Sequence, residues 1–202
     1  MPNGQVTITA TFVETEAPVG EPFLDVNEGD WFYDAVAYAY ENGLMDGVGG
    51  NRFAPNSATT RAQLVTILHR LEGQPAAGEA AFSDVPAGQW YTEAVAWAAA
   101  NSIVNGVSDT TFAPNDPVTR EQMAAILYRY AQYKGYDVTA SGDLSDYTDA
   151  GAIRPYAEAA MAWANGAGLI TGASDTTLQP RGNSTRAQVA TILMRFCQKV
   201  AE

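Results

Sequence analysis

The chain has 202 residues, with 23 acidic against 11 basic side chains and a formal net charge of −12. That charge excludes nucleic-acid binding through general phosphate neutralisation, while 47% hydrophobic residues supply material for a core. A single cysteine, Cys197, and a single histidine, His69, exclude an internal disulfide, a thiolate zinc site and a histidine-pair centre, so no metal and no cofactor is expected.

Residues 1–20 alternate Val6, Ile8, Ala10 and Phe12 against Thr7, Thr9 and Thr11, the pattern of a strand. A lone strand has no partner to pair with, so this tail reads as the last strand of a preceding β domain. Its opening, MPNGQVTITATF, has neither a basic n-region nor an apolar h-region. No apolar run approaches the roughly 18–20 residues that span a bilayer, so no membrane span is expected.

Beyond the tail one unit recurs three times, at 21–73, 80–134 and 143–202, forming one composite domain over 21–202. Trp31 and Trp90 are 59 apart, as are Gly47 and Gly106, and Arg61 and Arg120; the step to Gly172 and Arg186 is 66. The extra seven residues are placed in the linker 135–144 and in a DAGAIRP insertion. Each unit opens on an aspartate turn (Asp25, Asp84, Asp146). An Ala- and aromatic-rich helix follows, at about 31–42, 90–101 and 155–167, stopped by a glycine turn. A Phe-x-Pro or Leu-x-Pro loop then leads to a second helix, at about 61–72, 120–132 and 186–199.

The second helices carry the clearest local code. Thr60 to Gln63, Thr119 to Gln122 and Thr185 to Gln188 each fit a capping box. Behind each runs an apolar stripe at i, i+3, i+4, i+7: Leu64, Ile67, Leu68, Leu71; Met123, Ile126, Leu127, Tyr130; Val189, Ile192, Leu193, Phe196. The fold expected is all-α. It consists of three helix-loop-helix repeats in pseudo-threefold arrangement around a central three-helix bundle, with the first helices outside.

Arg61, Arg120 and Arg186 each stand at the first helical position, where a cation opposes the helix dipole at about 0.3–1 kcal/mol. The guanidinium fork together with free first-turn N–H groups would suit a carboxylate or phosphate. The competing reading pairs each arginine with an acid of a neighbouring aspartate turn. Arg70, Arg129 and Arg195, nine residues later, fall on the opposite face of the same helices near the favourable dipole end, and read as structural. Trp97 and Trp163 read as core, His69 as structural, and Cys197 as a small buried or fraying-end residue. The stretch DVNEGDWF lacks the glycine at position six and the acid at position twelve of a calcium loop. No catalytic pair stands out, and the chain is not expected to be an enzyme.

The repeated residues resemble the S-layer homology family, best seen in FSDV, Trp90, AVAWA, Ile103 to Gly106, Ser108 to Pro114 and Thr119 to Gln122. The resemblance covers about residues 23–198. It implies a non-covalent, extracellular cell-wall anchor. The partner it implies is a secondary cell-wall polysaccharide carrying pyruvylated N-acetylmannosamine, whose ketal carboxylate would supply the anion. It also implies grooves between adjacent repeats with Arg61, Arg120 and Arg186 as carboxylate binders. Trp31, Trp90 and, in the third copy, Tyr156 would be walls, and Gly47, Gly106 and Gly172 points of backbone approach to the sugar. The alternative is a protein-interaction scaffold joining other surface-layer subunits, the fragment itself being monomeric. Departures from the family are Gln63, Gln122 and Gln188 in place of glutamate, Tyr156 for tryptophan, Leu178 for phenylalanine, and Gly49-Gly-Asn51 for Ser-Asp-Thr. They make the three grooves unequal.

Overall fold

The computed structural model describes residues 23–201; the strand expected within 1–20 lies outside them. The described chain is all-α, with six helices: α1 (Tyr33–Glu41), α2 (Arg61–Leu71), α3 (Thr92–Ala100), α4 (Arg120–Lys134), α5 (Glu158–Gly166) and α6 (Arg186–Lys199). Two short 3-10 turns, Ala150–Ala152 and Pro155–Ala157, lead into α5. Between these elements the described residues make isolated β-bridges and no strand.

The capping boxes at the starts of α2, α4 and α6 are complete: each threonine hydroxyl accepts from the glutamine N–H, and each glutamine Oε1 accepts from the threonine N–H. Eleven of the twelve stripe residues are buried, Leu71 packing at the edge. The first helices end on a left-handed residue, at Gly43 and Gly168 with φ of 65° and 68°. In the middle repeat Ser102 takes that conformation (φ 57°) without being glycine.

The order of packing ties repeats to one another. Helix α3 of the second repeat packs on α2 of the first, α5 of the third on α4 of the second, and α1 of the first on α6 of the third. Alanines on the first helices, including Ala35, Ala39, Ala94, Ala98, Ala160 and Ala164, are buried, and small side chains let helices approach closely. Just before the capping boxes, three backbone hydrogen bonds close a ring. Thr59 N–H donates to Ser184 O, Ser184 N–H to Val118 O, and Val118 N–H to Thr59 O, each at 2.9 Å.

The loops complete the connection. Asp25 accepts from the N–H groups of Phe53 and Ala54, and Asp84 from Phe112 and Ala113, at 2.7–2.9 Å. These carboxylates hold Ala54 and Ala113 at φ of 57° and 58°, a left-handed conformation costly for a residue with a Cβ. In the third repeat the same role belongs to Asp149, which accepts from Leu178 and Gln179; the expected Asp146 does not fill it. Tyr147 there stands against Gly172 as Phe23 stands against Gly47 and Phe82 against Gly106. The third unit therefore begins three residues later than its Leu-Ser-Asp sequence suggests, and DAGAIRP replaces an ordinary turn with only one residue added.

Candidate functional site

The expected open helix N-terminus is not what the chain builds. The first two N–H groups of α2 donate to Asp116 O and Pro114 O, those of α4 to Gly182 O and Pro180 O, and those of α6 to Ser57 O and Pro55 O. With the threonine cap taking the third and the glutamine taking the cap's own N–H, the four orphan donors of each helix start are engaged. The Phe-x-Pro or Leu-x-Pro loop of the neighbouring repeat is thus a backbone cap. Proline suits it, being an acceptor with no N–H to satisfy.

The arginines are fixed by the same loops and not by acids. Arg61 donates from Nε to Phe112 O (2.8 Å) and from Nη2 to Asn105 O (3.2 Å). Arg120 donates likewise to Leu178 O (2.7 Å) and Thr171 O (2.6 Å), and Arg186 to Phe53 O (2.7 Å) and Asp46 O (2.5 Å). Two of the guanidiniums lie over a ring, Arg61 at 4.6 Å from Phe112 and Arg186 at 4.4 Å from Phe53; Leu178 removes that contact for Arg120. The three residues are only 5%, 6% and 7% exposed. Among the described residues none of them forms an ion pair, and no Nη1 makes a hydrogen bond. Burial pulls the pKa of each below the usual guanidinium range, with nearby aspartates opposing the shift; a guanidinium nonetheless stays charged at neutral pH. A buried charge without a counter-ion is costly, and carbonyl dipoles meet only part of the need.

Each of these arginines borders a cavity. The first, of about 350 Å³, is lined by Arg61, Gly106, Gln122, Arg129, Arg154 and Tyr156 among others. The second, of about 260 Å³, has Arg120, Gly172, Gln188, Arg195 and Trp31. The third, of about 250 Å³, has Arg186, Gly47, Gln63, Arg70 and Trp90. Every residue expected at a site thus lines one of three matching grooves, and each groove draws on all three repeats. A larger cavity of about 900 Å³ shares Thr66, Arg70 and Trp90 with the third groove and runs under the 74–80 linker; nothing in the repeat pattern points to it.

The walls are built in two ways. Trp31 and Trp90 are 67% and 62% exposed, yet each is braced edge-on by a buried ring, Phe32 at 5.2 Å and Tyr91 at 5.1 Å. Tyr156 has Ala157 in place of that ring, and its hydroxyl donates instead to Glu121 Oε1 at 3.3 Å. The glycines serve the fold as well as the groove: a Cβ on Gly106 would sit 2.5 Å from Thr111 O and 2.8 Å from Phe82.

Arg70, Arg129 and Arg195, read from sequence as structural, line the same grooves. Opposite faces of one helix serve different grooves, because each groove uses two helices: Arg61 comes from α2 and Arg129 from α4, Arg120 from α4 and Arg195 from α6, Arg186 from α6 and Arg70 from α2. Their surroundings differ. Arg70 pairs with Asp46 at 2.8 Å and donates to Leu44 O, and Arg195 donates to Leu169 O. Arg129 makes no hydrogen bond or ion pair among the described residues.

Elsewhere, Trp97 and Trp163 are core, and His69 is buried against Trp97 with Nε2 2.8 Å from Pro75 O. Cys197 is half-buried, and burial pushes its thiol pKa up. Among the described residues no helix is long and apolar enough to cross a membrane.

Comparison with known proteins gives the repeats a context. The profile of the S-layer homology domain matches residues 22–65, 81–124 and 146–190. An endoglucanase of Bacillus sp. (strain KSM-635) is 32% identical over 183 residues, 89% of this chain and 19% of that protein. The Surface-layer 125 kDa protein of Lysinibacillus sphaericus is 32% identical over 83% of this chain and 14% of that protein. An amylopullulanase of Thermoanaerobacterium thermosulfurigenes is 29% identical over 98% of this chain and 11% of its own length. The chain spans less than a fifth of the curated relatives it matches.

Proposed function

We propose, for a chain that belongs to the S-layer homology domain family and so is a non-catalytic cell-surface anchoring module, that its three grooves hold acidic substituents of a cell-wall polysaccharide. The substituent that fits is a ketal-linked pyruvate on N-acetylmannosamine, a carboxylate on a compact sugar. The observation that carries this reading is the set of three buried guanidiniums, Arg61, Arg120 and Arg186, each without an ion-pair partner among the described residues and each at a groove. A carboxylate would supply the missing counter-charge through a charge-assisted hydrogen bond. The exposed faces of Trp31, Trp90 and Tyr156 would stack on the apolar side of a sugar ring.

A polymer presents many such substituents, so three sites on one rigid unit raise retention through effective concentration without a new contact. The composite of the three repeats is then the binding unit. The test is co-sedimentation with purified bacterial walls that carry the pyruvylated polymer, and with the same walls after mild acid removes the ketal. Binding is expected to the first and lost on the second. Equal binding to both contradicts the reading.

A further inference from the structure

We propose that the groove walled by Tyr156 fills first with the acidic sugar and the groove bearing Asp46 fills last, a ranking that rests on the reading above. The three grooves share one plan but differ in what already satisfies their cations. In the groove of Arg61 the second arginine, Arg129, makes no hydrogen bond or ion pair among the described residues. It lies half-buried beside Tyr156, and no carboxylate lines the cavity. In the groove of Arg120 the second arginine, Arg195, gives one N–H to Leu169 O. In the groove of Arg186 the second arginine, Arg70, is already paired with Asp46 at 2.8 Å, and Asp46 itself lines the cavity. An incoming carboxylate would there compete with, and be repelled by, a resident one.

A second feature is confined to the first of these grooves. Arg154 stands two residues before Tyr156, where the other repeats have Gly29 before Trp31 and Gly88 before Trp90. Its guanidinium adds a third cation to the lining. It is steered there by Glu121, which is fully buried and stands where the other capping helices have Ala62 and Ala187. Glu121 accepts from the Arg154 backbone N–H and from its Nη1, both at 3.0 Å, and from the Tyr156 hydroxyl. One carboxylate thereby orients the extra cation and the aromatic wall together. Because Glu121 offsets one positive charge, the unpaired Arg129 makes the decisive difference; Arg154 and Tyr156 act as positioned neighbours.

The walls provide a readout, because the first-filled groove has a tyrosine where the others have tryptophan. The ¹⁵N-labelled chain is titrated with ketal-pyruvylated N-acetylmannosamine. Amide signals of residues 105–107 are expected to move during the first equivalent. The Trp31 indole N–H follows, and that of Trp90 comes last. Arg129→Ala, which removes no hydrogen bond among the described residues, is expected to keep its melting temperature and weaken the first phase about tenfold or more. Asp46→Asn is expected to bring the Trp90 signal forward. A Trp90 indole that moves first, or a first phase unchanged in Arg129→Ala, overturns the ranking alone. A saccharide that moves none of these signals overturns both the ranking and the function it rests on.

Discussion

Gly106 shows how a single position can look like a ligand contact and be first a packing requirement. The absent side chain gives room to Thr111 O and the Phe82 ring, and overpacking of this kind costs about 1–3 kcal/mol. Gly106→Ala should therefore lower stability by about that amount in urea unfolding. Gly151→Ala, with nothing within 4 Å of the new methyl, should change it by less than about 0.5 kcal/mol. Equal effects would show that the Gly106 contact is relieved without cost. The arginines teach the same lesson from the other side. That Arg61, Arg120 and Arg186 needed a partner was legible from their unfavourable dipole position. That the partners would be carbonyls of Phe112, Leu178 and Phe53 was not, because those contacts bridge 51, 58 and 133 residues of sequence. Asp149 went unread because Asp146 sits in a better local copy of the aspartate-turn sequence, and only the loop it clamps separates the two.

At the scale of the element, the second helices were readable because their signals are local. Cap, glutamine and apolar stripe all lie within a few turns, and α2, α4 and α6 begin where the threonines place them. What local signals could not show is that the first-turn N–H groups are consumed by the next repeat's proline loop, which turns an apparent anion cradle into an inter-repeat clasp. That Arg70, Arg129 and Arg195 also line the grooves was not legible for a related reason, since facing within one helix says nothing about a groove floored by two, and Arg70 and Arg195 still hold the Leu44 and Leu169 carbonyls as structural residues would. The threonine caps remain a separable contribution. Thr119→Ala should cost about 1 kcal/mol in chemical unfolding while leaving saccharide affinity within a factor of two, because the hydroxyl faces Gln122 N–H and not the groove. A loss of affinity larger than the loss of stability would place the cap in the binding surface.

At the scale of the molecule, the three repeats are joined by a closed ring of backbone bonds at Thr59, Val118 and Ser184 and by helix packing that runs from each repeat to the next. No groove is complete within one repeat: Tyr156 serves the arginines of the first two, Trp31 those of the second and third, and Trp90 those of the third and first. The three-copy sequence made the repeated unit legible, but not that the closest helix packing joins second helices to first helices of neighbouring repeats, where a central bundle of second helices was expected, nor the exchange of walls, which depends on long-range closure. The proposed anchoring rests on a unit that keeps three arginines buried, held by loop carbonyls on one side and bordering a groove on the other. The most direct measurement compares, by calorimetry, ketal-pyruvylated N-acetylmannosamine with its methyl ester, which keeps the shape and removes the charge. The acid is expected to bind, and the ester about tenfold or more weakly; equal affinities would show that the carboxylate charge is not what the buried arginines hold.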